Sequence, residues 1–384
     1  MHILLITRHY PPEISGGARR PSLYVKALRL LGHKVTVVVP FQIEDSDCIV
    51  VENAAINRGQ NQTSENTLHV SIYKRWFNRL KAWLRQWMYW PDPDISWVEE
   101  VIKTVKKKNI KADWIMTTSP SESVHIAGKK LTKYMGVPWL AEFRDTWIES
   151  PHRQILEVSK LRVSLERLMA KRTLRHVSAV TSVSETVMRE ARQYISQGVS
   201  ELVIPHFSDP APDPHNFNPS KLNVLHAGGF TLSDRRRLLL PLIEVLIRVS
   251  KHVPNLVFHI IGALSEKEIE MINSVDLEIK WHGPVSLLSS RAMQAGADGL
   301  ILYSPPNSHA LPGKYSEYVF TGKPILYFGN GPWINLIDDR NNIKSLEEGL
   351  LVLQKNEIYI PNGILTHIAA AKQLVEFLKR ANNI

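Results

Sequence analysis

Ile3–Thr7 and Leu222–His226 are short apolar runs, and each leads through a glycine pair and a helical segment to a second apolar run. In the first case Pro11 and Pro12 break the strand, and Gly16 and Gly17 permit a tight turn. A helix is expected over Arg20–Leu31, Gly32 ends it, and Val35–Val39 is the next strand. In the second, Ala227-Gly228-Gly229-Phe230 leads past Arg235, Arg236 and Arg237 into a helix over Leu238–Val249, with Val257–Ile261 as the following strand. Runs of this length bounded by turn residues suit strands buried in a parallel sheet. Strand, glycine turn, helix and strand in that order put a ligand at the carboxyl edge of the sheet. The glycines do not follow G-x-G-x-x-G, so the pattern does not argue for a dinucleotide.

A chain of 384 residues is long for one core, and two domains are expected. Residues 1–206 make the first. Phe207–Ser220, rich in Pro, Asp and Asn, is the linker; residues 221–363 make the second, and a helix closes the chain over 364–384. Other strands are expected at Leu68–Tyr73, Trp114–Thr118, Trp139–Phe143, Ala179–Val183 and Leu202–Pro205. Helices are expected at Ile95–Lys108, Val124–Tyr134, Pro151–Arg175 and Glu185–Tyr194, and Phe41–Thr67 reads as a long polar loop. The single cysteine, Cys48, excludes an internal disulfide and fits a reducing compartment. The apolar run at the N-terminus is ended by Arg8 and His9, too soon for a leader peptide. No window reaches the roughly 20 apolar residues of a spanning helix. A net charge of +10 fits nucleic acid, an anionic membrane face or phosphorylated substrates. No zinc spacing or RNA-binding aromatic signature accompanies it, which argues against nucleic acid.

Local chemistry gathers in Leu311–Leu326, LPGKYSEYVFTGKPIL. Pro312 and Gly313 make a turn, Lys314 and Glu317 share one face of a short helix, Gly322 stops it, and Ile325–Phe328 is a strand. Free backbone N–H groups and the Lys314 charge suit a phosphate there, and Glu317 can accept from sugar hydroxyls. A capped surface helix with an internal ion pair answers to the same residues. Arg235, Arg236 and Arg237 at a helix start oppose its dipole, as a bound anion or a solvated basic turn would permit. Arg144 and Asp145 end the strand Trp139–Phe143, a place suited to a site element or to a structural ion pair.

Lys74–Trp90, KRWFNRLKAWLRQWMYW, sets an apolar stripe with Trp83 and Trp87 beside Arg79 and other basic residues. Both a helix lying in an anionic membrane interface and an amphipathic helix packed on a sheet fit it. Asp45-Ser46-Asp47 and Asp92-Pro93-Asp94 imitate a D-x-D metal motif, but one lies in a polar loop and the other between helices, so no metal site is expected.

Three stretches carry a family resemblance: Y-P-P-E-x-x-G-G at Tyr10–Gly17, G-V-P-W-L-A-E-F-R-D-T-W ending at Trp147, and P-x-K-x-x-E-Y-x-x-x-G-K-P-I-L ending at Leu326. Together they resemble the large retaining GT-B glycosyltransferases of the Glu-x7-Glu motif, in a branch acting on bacterial surface polysaccharides. The resemblance implies an α/β fold of two Rossmann-like domains facing across a cleft, with the last helix crossing back to the first domain. It implies transfer of a sugar from a nucleoside-diphosphate sugar, UDP or GDP, to a glycan or lipid-linked acceptor, with retention and without a metal or other cofactor. Lys314 and either Arg235 or Arg236 would face the diphosphate, Glu317 the ribose, and the loop at Val285 the base. Gly16, Gly17 and Gly313 would line the donor, and Arg144 and Asp145 would face the acceptor. The first Glu of the motif is replaced by His309. With the basic Trp-rich stretch, this implies a cytoplasmic enzyme peripheral on the inner membrane face. A sugar-nucleotide epimerase and a non-catalytic nucleotide-binding subunit share the architecture and remain alternatives.

Overall fold

The computed structural model describes residues 1–13, 16–52, 90–149, 160–304, 312–331, 334, 344–354 and 365–382. It divides into two compact units, residues 1–205 with 367–384, and residues 206–366.

The first unit is a seven-stranded parallel sheet in the order β3-β2-β1-β4-β5-β6-β7. Its strands are β1 (His2–Thr7), β2 (Lys34–Val39), β3 (Cys48–Val50), β4 (Trp114–Thr118), β5 (Trp139–Phe143), β6 (Ala179–Ser182) and β7 (Ser200–Val203). Its helices are α1 (Gly16–Leu30), α2 (Ile95–Lys107), α3 (Ser123–Met135), α4 (Lys160–Leu174), α5 (Glu185–Ala191) and, from the chain end, α11 (His367–Ala381), which packs on α1. Trp97, Trp139, Phe143 and Trp147 fill the core between sheet and helices.

Beyond shifts of one or two residues in element ends, the structure differs from the sequence reading at three places here. The stretch expected as loop contains β3, an edge strand paired with β2. Helix α5 ends at Ala191, earlier than expected. Helix α1 begins at Gly16 rather than Arg20, so the glycine pair is its first turn and Pro21 lies inside it. Two contacts make that start tolerable. A Cβ on Gly17 would come 3.0 Å from the His9 ring, so glycine lets the helix approach the end of β1. Pro21 has no N–H for the Gly17 carbonyl one turn back, and the Arg144 guanidinium takes that carbonyl instead.

The second unit is a six-stranded parallel sheet in the order β10-β9-β8-β11-β12-β13, the doubly wound pattern. The strands are β8 (Leu222–Ala227), β9 (Leu256–Ile261), β10 (Ile279–Trp281), β11 (Gly299–Tyr303), β12 (Ile325–Phe328) and β13 (Lys344–Ser345). The helices are α6 (Leu239–Ser250), α7 (Glu266–Ser274), α8 (Leu287–Gly296), α9 (Lys314–Val319) and α10 (Leu346–Gln354). Alternate residues of β8 feed opposite faces: Val224 joins a cluster under α6 and α10, Leu225 and Ala227 one under α8 and α9. Residues Ser208 and Thr366, near the two ends of this unit, meet in one β-bridge. Helix α7, absent from the sequence reading, is fixed by a reciprocal cap between Ser265 and Glu268. The expected strand Leu68–Tyr73 and helix Lys74–Trp90 lie outside the described residues, except that Trp90 is described outside any helix.

Candidate functional site

In the second unit, chemistry collects at the carboxyl edge of the sheet. After β8, the Gly228–Gly229 turn crosses the turn after β9: a Cβ on Gly262, whose φ is +135°, would come 2.8 Å from the Gly228 carbonyl. Gly262 donates to the Gly283 carbonyl at 3.0 Å, which seats the loop leading to Val285 beside this crossing. Val285 is partly buried against the cluster that holds Tyr315 and Tyr318. Thr231, in the next turn, donates through its N–H and hydroxyl to Glu268 at 3.0 and 2.7 Å, tying the turn to α7.

The three arginines that follow have separate fates. Arg235 is exposed. Arg236 folds back on Asp234, donating at 3.1 and 2.8 Å, and holds that carboxyl below the usual carboxylate range. Arg237 makes no side-chain hydrogen bond or ion pair among the described residues, and its Nε is buried without a partner. Burial pulls its pKa below the ordinary guanidinium value despite Asp234, Tyr303 and Tyr318. Of the three, Arg237 is the one with a buried Nε that lacks a partner; the sequence reading named Arg235 or Arg236 for the diphosphate. The R-R-R run signals a cation at this turn, but which of three consecutive side chains turns inward depends on backbone phase.

Helix α9 brings Lys314 and Glu317 together at 2.8 Å. This is the ion pair of the plainer reading, but Glu317 is buried at 6% exposure and also receives Gln294 Nε2 at 3.4 Å. Gly313 is exposed, and a Cβ there would meet open space, so no packing demand explains glycine at that position. One turn along, the Tyr318 hydroxyl accepts from the Ala227 N–H at 3.1 Å and so pins α9 to the end of β8. His226, just before, is 3% exposed. Its pKa is pulled down to about 4 by burial, with Arg237 and Lys314 both adding to the effect, so the two cations act on one point. His309 lies outside the described residues, as do Arg79, Trp83 and Trp87.

The carboxyl edge of the first unit is held by two arginines. Arg20 donates to Glu142 at 2.8 Å, to the Ile204 and Pro205 carbonyls at 2.8 Å each, and to the Tyr24 hydroxyl at 3.1 Å. Arg20 is 5% exposed and Glu142 fully buried. Arg144 donates to the backbone carbonyls of Gly17, Ser119 and Pro120, and burial lowers its pKa to about 10. It makes no hydrogen bond or ion pair with Asp145 among the described residues. Its guanidinium is spent on joining α1 to the turn after β4, whereas Asp145 is half-buried beside it. Sequence reasoning missed a His9–Glu13 pair next to Gly17, with Nδ1 2.9 and 3.1 Å from the carboxylate oxygens. A histidine four residues before a glutamate was its one visible signal.

The carboxylates of the two D-x-D stretches have protein partners. Asp45 pairs with Arg29 at 2.7 Å, Asp92 accepts from the N–H and hydroxyl of Ser123 at the start of α3, and Asp94 lies 3.3 Å from Arg8. No group of three or more possible metal ligands occurs among the described residues.

Comparison with known proteins follows the same lines. The model of the glycosyl transferase 4-like domain matches residues 15–206. Among solved structures, the chain is similar to a sucrose-phosphate synthase from Thermosynechococcus elongatus, with a TM-score of 0.61 and 14% identity over 100% of this chain and 99% of that one. It is also similar to a putative UDP-N-acetylglucosamine 2-epimerase from Listeria monocytogenes, with a TM-score of 0.58 and 10% identity over 100% and 97%. WaaG, a glycosyltransferase involved in lipopolysaccharide biosynthesis, gives a TM-score of 0.53 and 12% identity over 100% and 99%. At such identities the likeness is one of fold. No curated protein matches the sequence.

Proposed function

The chain belongs to the glycosyl transferase 4-like family, with the GT-B fold, and from that premise we propose that it moves a sugar from a UDP- or GDP-sugar to a glycan or lipid-linked acceptor. We take the transfer to retain anomeric configuration and to need no metal. The observation that carries the reading is Arg237, a guanidinium with a buried, unpartnered Nε in the electrostatic field shared with Lys314. Burying a cation without a counter-ion is costly, and an anionic ligand removes that cost. A diphosphate leaving group fits: its charge grows as the glycosidic bond breaks, and preorganised cations stabilise that growth. Glu317 holds Lys314 in place and faces the ribose, and the Val285 loop borders the base. Asp145 serves the acceptor. Arg144 supports that edge from within.

The acceptor belongs to cell-surface polysaccharide or lipopolysaccharide synthesis in this reading, with the enzyme peripheral on the inner membrane face. The resemblance of the motifs and the basic Trp-rich stretch support it. No helix among the described residues is long and apolar enough to cross a membrane.

Calorimetry with UDP and GDP, with and without chelator, tests the donor site. One nucleotide should bind, unaffected by chelator. Arg237→Ala and Lys314→Ala should each weaken it about 10- to 100-fold, from roughly 1.5–3 kcal/mol for a charged hydrogen bond. A wild-type protein that binds neither nucleotide sinks the proposal. Turnover of a nucleotide sugar to its epimer without acceptor would establish the epimerase reading instead; binding without any turnover would leave a nucleotide-binding subunit.

A further inference from the structure

His226 is buried, and the donor site as drawn above gives it no task. Its Nδ1 lies 3.0 Å from the Ile301 carbonyl, which can only accept, so Nδ1 carries the proton. Nε2 is then a bare lone pair, and it is buried without a partner. A buried acceptor without a donor is expensive, and native proteins leave few of them. The ring is held by Phe230, 4.9 Å away, and by Tyr303 at 6.3 Å. Nε2 itself looks toward Gly228, 3.4 Å from where a Cβ would stand.

Arg237 is the complementary case, since its buried Nε–H is a donor without an acceptor. The two residues share surroundings. The Tyr303 hydroxyl donates at 2.9 Å to the carbonyl of Leu238, the residue after Arg237, while the Tyr303 ring flanks His226. The nearest carboxylate, Asp234, is taken by Arg236, the Tyr303 hydroxyl donates its proton to Leu238, and the Tyr318 hydroxyl accepts the Ala227 N–H. We propose that His226 is a positioning residue for Arg237, its bare Nε2 accepting the Arg237 Nε–H so that the two terminal guanidinium nitrogens are aimed at the diphosphate. This rests on the donor-site reading above. The bond forms when the anion draws the guanidinium inward, and no covalent step is involved. Neutrality is essential, because a protonated Nε2 would repel the arginine it has to hold. Burial keeps the ring neutral through the physiological range.

The test is UDP and GDP affinity in the full chain. His226→Phe keeps the ring contacts but removes the acceptor, and should weaken binding about 10-fold. His226→Gln, which places an oxygen near the Nε2 position, should restore most of it. Arg237→Lys keeps the charge but lacks the Nε–H, so His226→Phe should cost nothing further in that background. A merely structural histidine would show neither rescue by Gln nor this non-additivity. Should His226→Phe fail to fold, the wild-type imidazole ¹⁵N spectrum decides. Saturating nucleotide should move the Nε2 resonance of His226 toward the hydrogen-bonded range, and should not do so in Arg237→Lys. An unmoved resonance, or additive affinities, overturns the role. If Arg237→Ala loses nucleotide while His226→Phe binds as wild type, the role of His226 falls alone. If wild type binds neither nucleotide, the donor reading falls and this proposal with it.

Discussion

Single residues in this protein do two kinds of work, and their partners tell them apart. Arg144 and Arg237 are both arginines at the carboxyl edge of a parallel sheet. The first spends its guanidinium on three backbone carbonyls, one of which Pro21 left open. The second keeps its Nε unpartnered. The sequence reading names Arg144 with Asp145, and names the run of three arginines through Arg235 or Arg236, because consecutive side chains carry no mark of which one is buried. Arg20 adds a residue that no motif marked. It closes the buried pair with Glu142 and collects the carbonyls at the end of the first unit. Arg20→Met should cost about 3–5 kcal/mol in urea denaturation, because the Glu142 carboxylate is then buried unpaired. A loss below about 1 kcal/mol would mean the pair relaxes to solvent.

At the level of elements, the apolar runs identified the principal strands, since a strand buried on both faces leaves a continuous signature. Its failures have physical causes. Strand β3 is only three half-buried residues, Cys-Ile-Val, on an edge, and so short an apolar run does not stand out in a polar segment. The first turn of α1 contains two glycines and the second a proline, all poor helix formers, and tertiary contacts with His9 and Arg144 override that preference. Helix ends show a different regularity. Basic residues occupy the last turns of α2, α3 and α4, where each suits its own helix dipole. The ends of α3 and α4 crowd one another, however. The charged form of Lys129 is disfavoured first by burial and then by Lys133, Arg175, Arg172 and Lys130. Lys129→Glu should therefore raise the thermal midpoint, and the gain should shrink as salt rises and the screening length falls from about 30 Å at 0.01 M to about 10 Å at 0.1 M. A midpoint unchanged or lowered at low salt would show that the repulsion is already relieved by solvent.

Over the whole molecule, acid should be destabilising in both units at once. His125 in the first unit has its pKa pulled down to about 3 by burial, and His226 and His259 in the second to about 4. An unfolded histidine titrates near 6.5, so between about pH 6.5 and 4 the unfolded chain binds protons that the folded one refuses. Stability is complete above that window and is lost as pH falls through it. The thermal midpoint should drop steadily from pH 7 to pH 5, and a flat profile would contradict the burial of these rings. The two-unit plan was legible from the repeated strand–glycine–helix pattern, because each repeat must bury its own sheet. Ownership of the last helix was not legible from pattern, since amphipathicity does not say which partner a helix will choose. That ownership, with the bridge between Ser208 and Thr366, makes the second unit a cassette set into the first. Its entrance and exit lie side by side. The segment 206–366 can therefore be lifted out as one piece with its cut ends adjacent, while trimming the chain from its C-terminus would strip a helix from the unit that contains its beginning.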